Sequence, residues 1–163
     1  MKRVESSLFL ILLVTLLSCK SEDQKMILPK DLELVNLQTG KDSVCFSCAN
    51  QVIVFSNSSF FPFSEAFLWT EIREQFPEIG FIFYFSGEDK DSLTQKLAEL
   101  KFPFPVFHDP EFRFYQENLL DTINTTYDVL YAFHVKNGFY KKPAQIGMQK
   151  KFVGQLEEIL VEK

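Results

Sequence analysis

Asn50–Phe67, NQVIVFSNSSFFPFSEAF, is the stretch that decides the fold. An apolar run, Val52 to Phe55, stops at the polar patch Ser56-Asn57-Ser58-Ser59, and Pro62 then opens a segment with helical spacing. That pattern predicts a strand, a tight loop and a helix. Pro62 fits the first turn, where its missing N–H deprives no intrahelical bond. Phe63, Phe67, Leu68, Ile72 and Phe76 supply the expected buried face.

Downstream, Gly80 to Phe85 (GFIFYF) is apolar throughout, as a parallel strand covered on both faces must be. Ser86 to Asp89 gives a polar helix start, and Leu93, Leu97 and Leu100 recur at helical spacing. Phe102-Pro103-Phe104-Pro105 leads into a short strand, Val106 to His108, and Asp109-Pro110 forms a turn before a short helix over Phe112 to Leu119. Val129 to Val135 reads as a strand, Lys136-Asn137-Gly138 as a hairpin turn with a returning strand from Phe139, and Phe152, Leu156, Ile159 and Leu160 as one face of a closing helix. Upstream, Leu32, Leu34 and Leu37 followed by Gln38-Thr39-Gly40-Lys41 predict a short strand and turn at the sheet edge.

Strand, loop and a Cys-x-Pro-Cys opening to a helix is the thioredoxin pattern, and Phe60-Phe61-Pro62-Phe63 lies in its register. The resemblance covers roughly residues 30 to 163, as an order of elements more than as identities. It implies a thioredoxin-like α/β three-layer sandwich, with a mixed central sheet and helices on both faces. The proline matches and both cysteines are replaced. A thioredoxin cysteine at the helix N-terminus is held as a thiolate by the macrodipole and the unpaired N–H groups, and phenylalanine cannot perform that chemistry. A thioredoxin also carries a cis-proline before the strand that enters the hairpin. Counting back from Gly138 puts Val129 there, and a trans peptide is expected, because a non-proline cis bond costs about 2.5–4 kcal/mol.

At the start, Lys2 and Arg3 precede an uncharged run, Leu8 to Leu17, that ends at Leu16-Leu17-Ser18-Cys19. The run is short for a bilayer span, which needs about 20 residues, and reads as a signal peptide over residues 1–18. Leu-x-small-Cys resembles the bacterial lipobox, which implies that Cys19 becomes the first mature residue and carries the acyl chains, palmitate among them. The second mature residue would be Lys20 and not the Asp that resembles an inner-membrane retention signal in enteric bacteria, and Ser21-Glu22-Asp23 resembles the acidic export tag of surface lipoproteins in some Gram-negative groups. An outer-membrane lipoprotein is expected, facing the periplasm or the cell surface. Residues 19–30 would form a lipidated tether and residues 31–163 the folded domain, since roughly 140 residues suffice for one core and not for two.

A net charge of −5 at pH 7 argues against nucleic acid, which draws its affinity from clustered Lys and Arg. With Cys19 consumed by lipid, Cys45 and Cys48 remain as an even pair in an oxidising compartment, and a disulfide is the default. Three residues apart on an extended strand, their Cα atoms would lie about 10 Å from each other, beyond the span of about 4.4–6.8 Å that a disulfide allows, so Val44 to Ala49 should contain a turn. The pair could instead be redox-active or hold a metal. Zn²⁺ needs further ligands, which His108 and His134 do not supply at a paired spacing, and no nucleophile motif accompanies either histidine. No cofactor is expected. Asn57-Ser58-Ser59 and Asn124-Thr125-Thr126 match a glycosylation pattern that has no weight in a bacterial lipoprotein.

The function expected first is a membrane-anchored binding or assembly module without the usual redox pair, acting on an envelope protein or peptide. Phe60 and Phe61 would be at least partly exposed, and with Pro62 and Val129 would form a small apolar patch. The rivals are a thiol-disulfide oxidoreductase working through Cys45 and Cys48, and a purely structural envelope protein.

Overall fold

The computed structural model describes residues 24–37, 44–57, 59–87, 89–120 and 130–161. Cys19, the signal segment and Val129 lie outside them, so the expected lipidation and the peptide geometry at Val129 are not part of the structural account. Among the described residues no helix is long and apolar enough to cross a membrane.

The strands are β1 (Glu33–Val35), β2 (Asn50–Ser56), β3 (Ile79–Phe85), β4 (Val106–His108), β5 (Leu130–Lys136) and β6 (Phe139–Pro143). The helices are α1 (Trp69–Gln75), α2 (Lys90–Glu99), α3 (Arg113–Glu117) and α4 (Gln149–Val161). The strands form one mixed sheet in the order β1-β4-β3-β2-β5-β6. β2 runs parallel to β3 and β3 to β4, whereas β1 on β4, β5 on β2 and β6 on β5 are antiparallel.

Alternation along the strands divides the core. Val52 and Val54 join Phe81, Phe83 and Phe85 on one face, while Ile53 and Phe55 join Ile82 and Tyr84 on the other. The first face is covered by α1, α2 and α4 through Trp69, Ile72, Leu93, Leu97, Phe152, Leu156 and Ile159. On the second face lie the short α3, through Phe114 and Tyr115, and the N-terminal segment, through Met26. Both faces being occupied, every residue of β3 is buried, as its unbroken apolar run requires.

In two places the structure departs from the expected arrangement. The helix from Pro62 is not continuous: two 3-10 turns, Phe61–Phe63 and Glu65–Phe67, precede α1, and Leu68, between the second turn and α1, adopts left-handed backbone at φ 48°. Such a conformation costs a non-glycine residue roughly 1–2 kcal/mol. The break leaves Leu68 39% exposed and seats Trp69, 3% exposed, among the rings of Phe67, Phe81, Phe83, Phe102, Phe104 and Phe152. Burial of the largest side chain overrides helical continuity.

The tether boundary also moves. Residues 24–30 pack on the domain rather than linking it: Lys25 bridges Phe139, the Met26 N–H donates to Gly138 O at 2.8 Å, and Tyr140 N–H donates to Gln24 O at 2.8 Å. The buried Asn118 carboxamide closes the segment, accepting from Ile27 N–H and donating to Ile27 O, both at 2.8 Å. The polar composition that reads as a linker reflects backbone pairing that needs few apolar side chains.

Candidate functional site

The thioredoxin-type junction follows the end of β2. Ser56 Oγ donates to Ser59 O at 2.7 Å, folding the chain back, and Phe63 N–H donates to Phe60 O at 3.0 Å around Pro62. Phe63, in the place of the second cysteine, is 1% exposed and meets Phe102 edge-on at 5.0 Å. Phe60 is half-buried, stacked on Phe85 at 4.8 Å. Phe61 is 58% exposed, its ring resting on Phe67 at 5.0 Å. Pro62 is buried and sits beneath the surface, its carbonyl accepting from Trp69 Nε1 at 2.6 Å. Of the four expected patch residues, then, Phe61 is exposed, Phe60 is half-buried, Pro62 is buried, and Val129 is outside the described residues. Leu130, opposite Ser56 in register at this end of the sheet, is 37% exposed. No side chain from Phe60 to Phe63 ionises, so this loop can present rings but cannot attack a bond.

Cys45 and Cys48 occupy the other end of the sheet. They are joined in a disulfide with Cα atoms 5.4 Å apart, across a turn at Phe46-Ser47. Three residues that the sequence reading passed over position this turn. Gln51, 2% exposed, donates its amide to Cys45 O at 3.0 Å and to Phe46 O at 3.1 Å. Gly80 lets the turn lie against β3, because a Cβ there would be 2.9 Å from Cys45 O and 3.2 Å from Cys48 Cβ. Phe107 holds the Phe46 ring at 5.7 Å, and Lys30 Nζ lies 4.8 Å from the centre of that ring. A polar residue at the mouth of an apolar strand and a glycine at the next strand's start are the sequence signals for the first two.

The disulfide borders a cavity of about 280 Å³, lined also by Arg73, Phe76 and Phe104. Arg73 donates to Pro103 O at 2.7 Å, with its guanidinium 5.4 Å from the centre of the Phe104 ring. Asn50 pairs with Ile79 at this end, and the strand rises about 20 Å before reaching the Phe60–Phe63 loop. The pair is thus remote from the thioredoxin-type junction and sits on a turn, without the helix N-terminus that lowers a catalytic thiol's pKa.

The histidines stay apart. His134 is buried in β5, with Nε2 3.3 Å from Gln155 Oε1, and His108 lies on β4 opposite Glu33. Among the described residues no three His, Cys, Asp or Glu side chains cluster as metal ligands would. A buried carboxylate that sequence reading missed is Asp109, which accepts from Arg113 N–H at 2.8 Å and Phe114 N–H at 2.9 Å. Burial pushes its pKa up against the pull of those two bonds. It starts α3 and is structural.

No protein-family model matches this sequence, and neither does any curated protein. Solved structures do. A secreted Mycobacterium tuberculosis disulfide oxidoreductase homologous to E. coli DsbE superposes with a TM-score of 0.50 at 12% identity, over 68% of this chain and 81% of that one. A putative thiol:disulfide interchange protein DsbE of Chlorobium tepidum gives 0.43 at 16% identity, over 67% and 80%. Peroxiredoxin Q of Xanthomonas campestris gives 0.40 at 16%, over 69% and 76%. At such identities the first likeness bears on the fold alone, and with the sheet order and its two helical layers it makes this chain a thioredoxin-like α/β sandwich.

Proposed function

We propose that this chain is a lipid-anchored protein of the bacterial envelope, held in the outer membrane through Cys19, whose thioredoxin-like domain binds an envelope protein or peptide without thiol chemistry at the usual junction. The observation that carries this is the division of labour between two rings: Phe63 fills the core where a thiol would stand, while Phe61, two residues earlier, is 58% exposed. An aromatic side chain held in water by a 3-10 turn, at the strand end where open α/β sheets bind ligands, is suited to an extended apolar peptide. A photo-crosslinking residue at position 61, in cells, should give a discrete adduct that position 95 on α2 does not. Absence of any adduct at 61 would sink the binding role. Separately, Cys19→Ala should leave the membrane fraction and incorporate no labelled fatty acid; a mutant that still sediments with membranes would remove the anchor.

A second reading is thiol-disulfide exchange through Cys45 and Cys48, supported by the clamped turn and the Arg73-lined cavity beside it. The reduced pair would pass two electrons to a substrate disulfide and close its own. Insulin-disulfide reduction that is lost in Cys45→Ser would favour this reading over the first.

A further inference from the structure

We infer that the surface around Lys25, Ile27, Leu119 and Phe139 rests on the lipid bilayer, fixing which end of the domain faces the membrane. This rests on the lipid anchor proposed above. The chain between Cys19 and Gln24 reaches about 18 Å at full extension, so an acylated Cys19 holds the point where the chain enters the fold within that distance of the lipid.

That point is built into the domain. Gln24 accepts from Tyr140 N–H, Met26 donates to Gly138 O, and Gln24 Nε2 donates to Asn118 O at 3.0 Å. Met26 points inward at 5% exposure, so Lys25 and Ile27 on either side of it point outward. Lys25 is bridged to Phe139, which puts those two side chains on the same face, and Asn118 brings Leu119 beside Ile27. The apolar members are exposed by 48% at Ile27, 87% at Leu119 and 37% at Phe139.

Lys25, paired with Phe139, is exposed, and Lys141 is exposed at the bulge in β6 opposite His134 and Val135. Aliphatic and aromatic tips beside the Lys25 ammonium match the water–headgroup boundary, where rings and apolar groups enter the headgroups and ammonium groups meet phosphate. The described chain begins at this patch, at Gln24.

Orientation follows. Asn137 N–H donates to Ala49 O at 2.7 Å, so the hairpin tip marks the start of β2, and Phe61 lies beyond its far end. The aromatic loop is presented away from the membrane.

The test uses the full acylated chain in vesicles of phosphatidylethanolamine and phosphatidylglycerol, with an environment-sensitive dye on Ile27→Cys, Leu119→Cys or, on α2, Gln95→Cys. Dyes at 27 and 119 should shift to the blue and be quenched by spin-labelled lipid, while the dye at 95 stays aqueous. Protein that floats with vesicles yet shows 27 and 119 as wet as 95 would overturn the orientation and leave the anchor standing. Protein that carries no acyl chain and does not float would remove the anchor reading and this inference with it. A blue shift that persists in detergent and grows with protein concentration would assign the face to a second copy, against the bilayer.

Discussion

Trp69 Nε1 donates to the Pro62 carbonyl at 2.6 Å, and both residues are buried. This bond ties the start of α1 to the junction after β2 across the left-handed Leu68. Trp69→Phe keeps an aromatic ring but leaves a buried carbonyl unpaired, which costs about 1–3 kcal/mol. The urea midpoint should fall accordingly with an unchanged slope, and an unchanged midpoint would mean that the bond does not hold the segment.

The three phenylalanines of the junction should separate by burial. Phe63→Ala should lose about 3–5 kcal/mol, as expected for a ring removed from a core, and Phe61→Ala only about 0.5 kcal/mol. Phe60→Ala should fall between them, since that ring is half-buried against Phe85. Equilibrium denaturation of the three variants checks the order. A large loss at Phe61 would make the loop core and remove the basis for binding there.

Reduction of Cys45–Cys48 should lower stability by at most about 2 kcal/mol, the contribution of so short a closed loop in the chain-entropy picture. Disturbing the seat of the turn should cost a comparable amount. Gly80→Ala drives a Cβ to 2.9 Å from Cys45 O, and overpacking of this kind costs about 1–3 kcal/mol. Free thiols on alkylation without reductant are expected in Gly80→Ala and not in the parent protein; full oxidation in both would show that the turn forms without that seat.

Asp109 sets a pH dependence of uncommon sign for a carboxylate. Its folded pKa is raised above the ordinary 3.8 by burial, so the folded state binds its proton more readily than the unfolded state does. The stability it contributes is full below the unfolded value and is lost as pH rises through the folded one. Asp89, Glu99 and Glu158 run the other way, lowered by hydrogen bonds from Ser92, Lys96 and Lys142, and their contributions are lost as pH falls through their folded values. The Asp109 contribution therefore opposes the acid loss from the other three and is read as the difference between the parent protein and Asp109→Asn. Asp109→Asn should lose stability more steeply than the parent as pH falls toward 3.8, measured by denaturation across that range; parallel pH profiles for the two would show that Asp109 does not set the difference.

Local pattern determined much of this protein. The apolar runs Val52–Phe55 and Gly80–Phe85, the leucine spacing from Leu93, and the turn at Asn137-Gly138 each specify their element, because a strand covered on both faces, an amphipathic helix and a tight hairpin leave short-range signatures. The spacing of Cys45 and Cys48 demanded the turn that the structure contains. What only the tertiary structure decided depends on partners distant in sequence. Trp69 breaks its helix because Phe81, Phe83, Phe102 and Phe152 form the pocket for it, and no helical periodicity carries that information. Gln51 and Gly80 gain their roles from a turn folded back onto two strands, and Gln24–Ile27 becomes part of the sheet edge because Gly138, Tyr140 and Asn118, more than 90 residues away, offer the hydrogen bonds. A polar segment reads as a linker until the chain supplies such partners, since backbone pairing leaves no mark on the side chains that take part in it.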